Sequence, residues 1–214
     1  MICNKDTAKK TAKQLLSINA IKLQPENPFT WASGWKSPIY CDNRIALSYP
    51  EIRQFLSEQF AAQILDDFPE TEVIAGVATG AIAIGVLVAE KLNLPFVYVR
   101  PEVKGHGRKN KIEGYLSAEN KVVVIEDLIS TGMSSMNAIR ALRENGNDVL
   151  GMLAIFSYEF PQAWQLFEQE GVNYNTLSNY SHLLEEALAV NYIKEKDLVL
   201  LKKWRENPEK FDTL

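Results

Sequence analysis

The run Val122-Val123-Val124-Ile125-Glu126-Asp127, continued by Leu128-Ile129-Ser130-Thr131-Gly132-Met133-Ser134-Ser135, constrains this chain more than any other stretch. Four β-branched residues without polar alternation predict a strand covered on both faces, as in the middle of a parallel sheet. The two carboxylates are expected to follow that strand, where it emerges at its carboxyl edge. A turn rich in hydroxyls and glycine then leads into a helical pattern through Met136, Ile139, Ala141 and Leu142. A helix start carries free backbone N–H groups, and beside several hydroxyls these favour an anion such as phosphate. Carboxylates repel phosphate, so Glu126 and Asp127 are expected to accept from sugar hydroxyls or to reach a metal. A phosphorylated sugar suits both halves of the run. A solvated turn followed by ordinary helix caps is the plainer alternative, and the strand-end rule for open α/β sheets weighs against it.

Composition sets outer limits. A chain of 214 residues suits one large domain, or a domain with a small accessory piece. A formal net charge of -4 argues against broad nucleic-acid or membrane binding, while leaving room for a local basic loop. No uncharged apolar run approaches membrane-spanning length. Cys3 and Cys41 are the only cysteines, and without a signal-like apolar start they read as reduced thiols of a cytoplasmic protein.

Helical spacing over Thr7 to Ile18 and a short apolar run at Ile21 to Leu23 predict a first helix and strand. After Pro25-Glu26-Asn27-Pro28, the aromatic segment Phe29 to Asp42, punctuated by Gly34 and Pro38, predicts a hairpin or hood outside the main sheet. Trp31 and Trp35 read as packing residues there, with ligand stacking as the alternative. Arg44, in the cluster Asp42-Asn43-Arg44, reads equally as a surface ion-pair member or a ligand group. Ser48-Tyr49-Pro50-Glu51 predicts a capping box for a helix bearing Ile52, Phe55, Leu56, Phe60 and Ile64. Val73-Ile74-Ala75 predicts a strand entering the turn Gly76 to Gly80, with a helix from Ala81 to Leu92. That turn is a weaker phosphate candidate, matching neither the P-loop nor the dinucleotide fingerprint.

The strand Phe96 to Arg100 leads into a polar, locally basic segment through Gly114. Arg100, Lys104 and His106 alternate along it, so a mobile lid closing on a polyanion is expected. Val149 to Phe156 predicts another buried strand, Phe160 to Glu168 a helix, and Tyr174 to Leu177 an outlying strand. Leu183 to Val190 and Glu195 to Arg205 read as terminal helices, the first capped by Ser181 and supported by Glu185 and Glu186. His182 reads as structural. Strands alternating with helices give a parallel α/β sheet.

Glu126-Asp127-Leu128-Ile129-Ser130-Thr131-Gly132 resembles the phosphoribosyl pyrophosphate (PRPP) motif of type I phosphoribosyltransferases. Phe29-Thr30-Trp31-Ala32-Ser33-Gly34, Lys36-Ser37-Pro38-Ile39-Tyr40 and Lys104-Gly105-His106-Gly107 narrow the resemblance to the orotate phosphoribosyltransferase family, over about Phe29 to Ala141. The resemblance implies one α/β domain with a central parallel sheet flanked by helices. A small N-terminal hood would occupy about 1–45, the core about 46–160, and a C-terminal strand and helices 161–214. It implies transfer of the 5-phosphoribosyl group from PRPP to orotate, giving orotidine 5′-monophosphate and pyrophosphate in pyrimidine biosynthesis. Mg²⁺ would ride on the pyrophosphate, with no direct protein ligand.

By the same resemblance Glu126 and Asp127 hold the ribose hydroxyls. Leu128, Ile129, Ser130, Thr131, Gly132, Met133 and Ser134 complete the PRPP site, the last five cradling the 5′-phosphate. Arg100, Lys104 and His106 would neutralise pyrophosphate, and Lys104, His106 and Asp127 form the implied catalytic set. The lid residues reach a neighbouring subunit's site, so a homodimer is implied, with no nucleic-acid or membrane partner. Some positions depart from the family pattern: Ala32, Gly80 and Pro101 stand where relatives carry basic residues, and Ser157-Tyr158-Glu159 offers no arginine. The orotate carboxylate therefore needs another cation. Arg44 is the first candidate and Lys36 the second, with Ser130 bordering the ring. Two rivals remain: a phosphoribosyltransferase for purines or uracil, disfavoured by the hood and lid, and a PRPP-binding regulator of nucleic acid, disfavoured by the acidic balance and the Lys104/His106 pair.

Overall fold

The computed structural model describes residues 1–31, 33–101 and 111–213. Its centre is β8 (Lys121–Ile129), in which Val122, Val123, Val124 and Ile125 are each 0% exposed. Parallel neighbours flank it: β5 (Val73–Val77) on one side and β9 (Asp148–Ser157) on the other. β6 (Phe96–Val99) extends the sheet beyond β5, and the short β7 (Ile112–Glu113) ends that edge antiparallel. β10 (Tyr174–Asn179) extends it in parallel beyond β9. The strand order is thus β10-β9-β8-β5-β6-β7. From β5 the chain passes through α3 (Ile82–Leu92) to β6, and from β8 through α4 (Met133–Glu144) to β9, in opposite directions along the sheet. Winding reverses between β5 and β8, and a crevice opens at the carboxyl ends of strands that part in this way.

Each face of the sheet has its own core, because side chains alternate along a strand. Val123 and Ile125 join the core made with α1 (Lys5–Ser17), α2 (Pro50–Asp67), α3, α6 (Tyr180–Ala189) and α7 (Glu195–Glu206). Val122 and Val124 join Met136, Ile139, Ala163 and Phe167 of α4 and α5 (Pro161–Gln169). Leu15, Leu56, Phe60 and Ile64 anchor the first core, each contributing about 1.5–3 kcal/mol by leaving water.

Two small antiparallel pairs stand outside this sheet: β1 (Ile21–Leu23) with β4 (Ile39–Cys41), and β2 (Phe29–Thr30) with β3 (Lys36–Ser37). The C-terminal 3-10 turns over Pro208–Thr213 run against β3. The other margin of the fold is protected by the N-terminus: Ile2 bridges Thr176, and Cys3 N donates to Thr176 O at 3.0 Å, covering the edge of β10.

Several local expectations change. β8 continues through the acidic pair to Ile129, because β9 is long enough to pair with it that far. The capping box at Ser48 does not form. Asn43–Ser48 winds into a 3-10 segment, so α2 starts one residue later, with Tyr49 at the cap and Pro50 in the first turn. Tyr174–Asn179 is a full edge strand of the main sheet rather than an outlier. The following helix begins at Tyr180, capped by Asn179 Oδ1, which accepts from His182 N at 3.0 Å. Ser181 therefore lies inside that helix, and Glu185 and Glu186 fall beyond its first turn.

Candidate active site

Alternation along β8 holds through the acidic pair and slips only beyond it. Glu126 pairs with Ala154 and Leu128 with Phe156, while the ladder to β9 passes over Asp127. Leu128 packs with the first core and Ile129 with the second. Asp127 lies over the turn that follows β5: a Cβ placed on Gly80 would clash with Asp127 Oδ2. Any side chain at Gly80 would displace that carboxylate or the turn, a steric reason for glycine at one position where the chain departs from the family pattern.

Glu126 goes the other way. It is 3% exposed, its Oε2 accepts from Ser135 Oγ of α4 at 2.8 Å, and its Oε1 accepts from Asp127 N at 3.1 Å. Burial, reinforced by the neighbouring Asp127 charge, holds its pKa well above the ordinary carboxylate range. The two acids are adjacent in sequence but do not share a face, and Asp127 is the one presented to the crevice. Glu126→Gln tests this state through stability. A folded pKa above the unfolded value contributes fully below about pH 4.3, and that contribution is lost as pH rises toward the folded pKa. The variant lacks that slope, so its Tm should exceed wild type above neutral pH, by about 2–4 °C per kcal/mol recovered, and the gap should close near pH 4. Parallel Tm–pH profiles would remove the buried neutral acid.

Beyond β8, Ser130 and Thr131 lead to Gly132, whose φ of 82° is left-handed and whose Cβ, if present, would stand 3.0 Å from Phe167 Cε2. Only glycine turns the chain there without strain. α4 follows at Met133 with no side-chain cap bond among the described residues, so its first amides face the crevice margin uncapped, beside the exposed Ser134. The turn after β5 and the turn after β8 are the two lips of the crevice.

A cavity of about 290 Å³ adjoins this turn, lined by Thr30, Trp31, Tyr40, Cys41, Leu128, Ser130 and Tyr158. Trp31 stacks on Tyr158 with ring centroids 5.3 Å apart, and its Nε1 donates to Ile39 O at 3.0 Å. Trp204 of α7, fully buried, meets both rings edge-on at 5.7 Å. Burial raises the pKa of the Tyr158 hydroxyl and of the Cys41 thiol, keeping both neutral. These walls suit a flat ring.

The candidate cations occupy different places. Arg44 forms two bonds to Asp42, Nε–Oδ1 at 2.7 Å and Nη2–Oδ2 at 2.8 Å, which holds the Asp42 carboxyl below its usual range. Lys36 Nζ donates to Thr30 Oγ1 at 2.8 Å, on the rim of the cavity. Arg100 Nη1 pairs with Glu113 Oε1 at 3.3 Å. Lys104, His106 and Ala32 lie outside the described residues. Tyr40, Cys41 and Tyr158 are site residues that sequence reasoning misses, and their signal is slight: single residues at strand ends near a carboxyl edge.

Residues 49–158 match the profile of the phosphoribosyl transferase domain, a span that holds both lips of the crevice. Together with a switch-point crevice and the uncapped turn, this defines the chain as a type I phosphoribosyltransferase. Curated relatives are more specific. An orotate phosphoribosyltransferase of Phocaeicola vulgatus is 56% identical over 197 residues, 92% of this chain and 93% of that protein. Another, from Porphyromonas gingivalis, is 54% identical over 96% of this chain and 98% of its own length. The solved orotate phosphoribosyltransferase of Aeropyrum pernix shares the fold with a TM-score of 0.74 at 28% identity, over 86% of this chain and 99% of that one. The chain belongs to the orotate phosphoribosyltransferase family, whose reaction is transfer of a 5-phosphoribosyl group to orotate.

Proposed function

We propose that PRPP lies across the crevice with its 5′-phosphate on the Ser130–Ser134 turn and its ribose hydroxyls on Asp127, while orotate enters the aromatic-walled cavity. The observation that carries this reading is that Ser130 both opens the turn to the uncapped helix and lines the aromatic-walled cavity, with Asp127 three residues before it against Gly80. Departure of pyrophosphate from C1 leaves an oxocarbenium-like centre and a polyanion. Groups already aimed at those charges favour the transition state over the bound substrate. Asp127 orients the ribose and faces the developing positive charge. Arg100 with Lys104 and His106 receives the departing anion. N1 of orotate, itself an anion through its carboxylate, bonds to C1 as the C1–pyrophosphate bond breaks and releases its N1 proton to solvent, so that no protein nucleophile is needed.

Mg²⁺, brought with PRPP, supplies further neutralisation of the pyrophosphate. It would ride on the pyrophosphate with no direct protein ligand, in keeping with its reluctance to dehydrate. The functional unit is a homodimer in which Lys104 and His106 complete the neighbouring site, and the location is cytoplasmic. Among the described residues no helix is long and apolar enough to cross a membrane, and a net charge of -4 supports small-molecule substrates rather than nucleic acid.

The direct test is the fall in orotate absorbance on mixing the protein with PRPP and Mg²⁺. Orotate should be consumed and uracil and hypoxanthine left; consumption of either control instead would overturn the assignment. The cation on the orotate carboxylate follows from the same assay. The bond from Lys36 to a cavity-lining residue favours Lys36, whereas Arg44 is already engaged by Asp42. Lys36→Ala should raise the orotate KM about 10-fold, the scale of one charge-assisted hydrogen bond, with the PRPP KM little changed. Arg44→Ala should show the smaller effect; the reverse order would place Arg44 on the carboxylate.

A further inference from the structure

We propose that Asn43 is a positioning residue for the transfer, holding the main chain of Asp127 at the point where the β5–β8 ladder stops. The inference rests on the reading that Asp127 meets the ribose. Backbone partners along β8 lead to it. The Lys121 carbonyl faces β5, accepting from Glu72 N at 2.9 Å. Alternation along β8 turns the polar groups of Asp127 toward that same side. Pairing with β5, however, ends at Gly76 opposite Ile125, so Asp127 lies two residues past the last rung. Its N–H and C=O face a gap where a strand would have been, and backbone groups left without partners there would be costly.

Both groups are satisfied from elsewhere. The N–H reaches the Glu126 carboxyl, and the C=O accepts from Asn43 Nδ2 at 2.7 Å, across 84 residues of sequence. Asn43 is 2% exposed and opens the 3-10 segment that leaves the hood. Its Oδ1 accepts from the Cys41 thiol at 3.3 Å. That contact fixes the amide orientation, since a carbonyl can only accept and must face the NH₂ end. Cys41 also lines the base cavity. Two consecutive hydrogen bonds therefore join the wall of the base cavity to the residue that carries the ribose acid. The Asp127 carboxylate lies against Gly80, while the Asn43 amide restrains its peptide from the hood.

The test compares Asn43→Ala and the near-isosteric Asn43→Asp with wild type, per folded enzyme. Misplacing a reacting group by about 1 Å can cost on the order of 100-fold, so Asn43→Ala should lower kcat at least about 10-fold. The carboxylate introduced by Asn43→Asp cannot donate to the Asp127 carbonyl, whereas its protonated form can. The activity of Asn43→Asp relative to wild type should therefore be lowest at pH 8 and rise as pH falls toward 5. A purely structural role would lower Tm without that pH recovery. In a double-mutant cycle the Asn43→Ala effect should largely vanish on an Asp127→Asn background. Wild-type kcat in Asn43→Ala, or a flat pH ratio for Asn43→Asp, would overturn the inference. Should the alanine variant not fold, the pH ratio of Asn43→Asp decides alone. If Asp127→Asn is itself fully active, it is the reading of the ribose site that fails.

Discussion

Asp127→Asn should lower kcat/KM for PRPP by about 10²–10³-fold, the scale set by removing one preorganised electrostatic group from a reacting centre, with little change in Tm. The substitution keeps the shape of a side chain that already lies against Gly80. It removes the charge that accepts the ribose hydroxyls and opposes the positive charge growing at C1. Stability should hold because this carboxylate is partly exposed and takes no part in either core. A further effect follows next door. Asp127 is the second cause, after burial, of the high Glu126 pKa, so its neutralisation should let Glu126 ionise at lower pH. Initial rates at saturating orotate with varied PRPP, set beside thermal melts, read both effects. A variant within threefold of wild type would take Asp127 off the reaction path.

The largest effect on stability is expected at Trp204. Its side chain is 0% exposed and meets Trp31, Tyr158, Phe160 and Tyr180, with ring centroids 5.3–5.7 Å apart. Trp204→Ala should cost about 3–5 kcal/mol, as expected of an aromatic deleted from a packed interior. The loss should also reach the substrate. Trp31 and Tyr158 line the cavity, and without the ring behind them their stack loosens, raising the orotate KM more than the PRPP KM. Trp204→Phe makes the control. The indole N–H is buried with no hydrogen-bond partner among the described residues, so its removal relieves a desolvation cost while some volume is lost. That variant should stay within about 1.5 kcal/mol of wild type. Urea unfolding with an unchanged m-value separates the two. Equal losses for Ala and Phe would mean that the indole N–H, not ring packing, matters.

How much of this was legible in the sequence depended on the range of the forces involved. The uninterrupted Val122 to Ile125 run marked the sheet centre because burial on both faces leaves no polar positions. Pro28, Gly34 and Pro38 marked off the aromatic segment by the same local logic. The acidic pair was located but its geometry was not. Placed in a turn, Glu126 and Asp127 had no reason to diverge; inside a strand they must, and the extension of β8 is set by β9, more than twenty residues later in the chain. Ser48 and Ser181 carried sound local capping signals that lost to a 3-10 segment and to Asn179. Trp204 reads in the sequence as the one packing aromatic of a solvated terminal face and is buried as such. Neither its place behind the cavity nor that of Asn43 beneath Asp127 has a sequence signature, since each acts through contacts that only the folded chain creates.

The claim on which the rest depends is that PRPP is held in the crevice by the Asp127 carboxylate. Calorimetric titration of PRPP with Mg²⁺ into wild-type protein and into Asp127→Asn measures this without turnover. Binding weakened at least about 10-fold, the scale of lost charge-assisted hydrogen bonds, in a variant of unchanged Tm is the predicted result. Equal dissociation constants for the two proteins would contradict it.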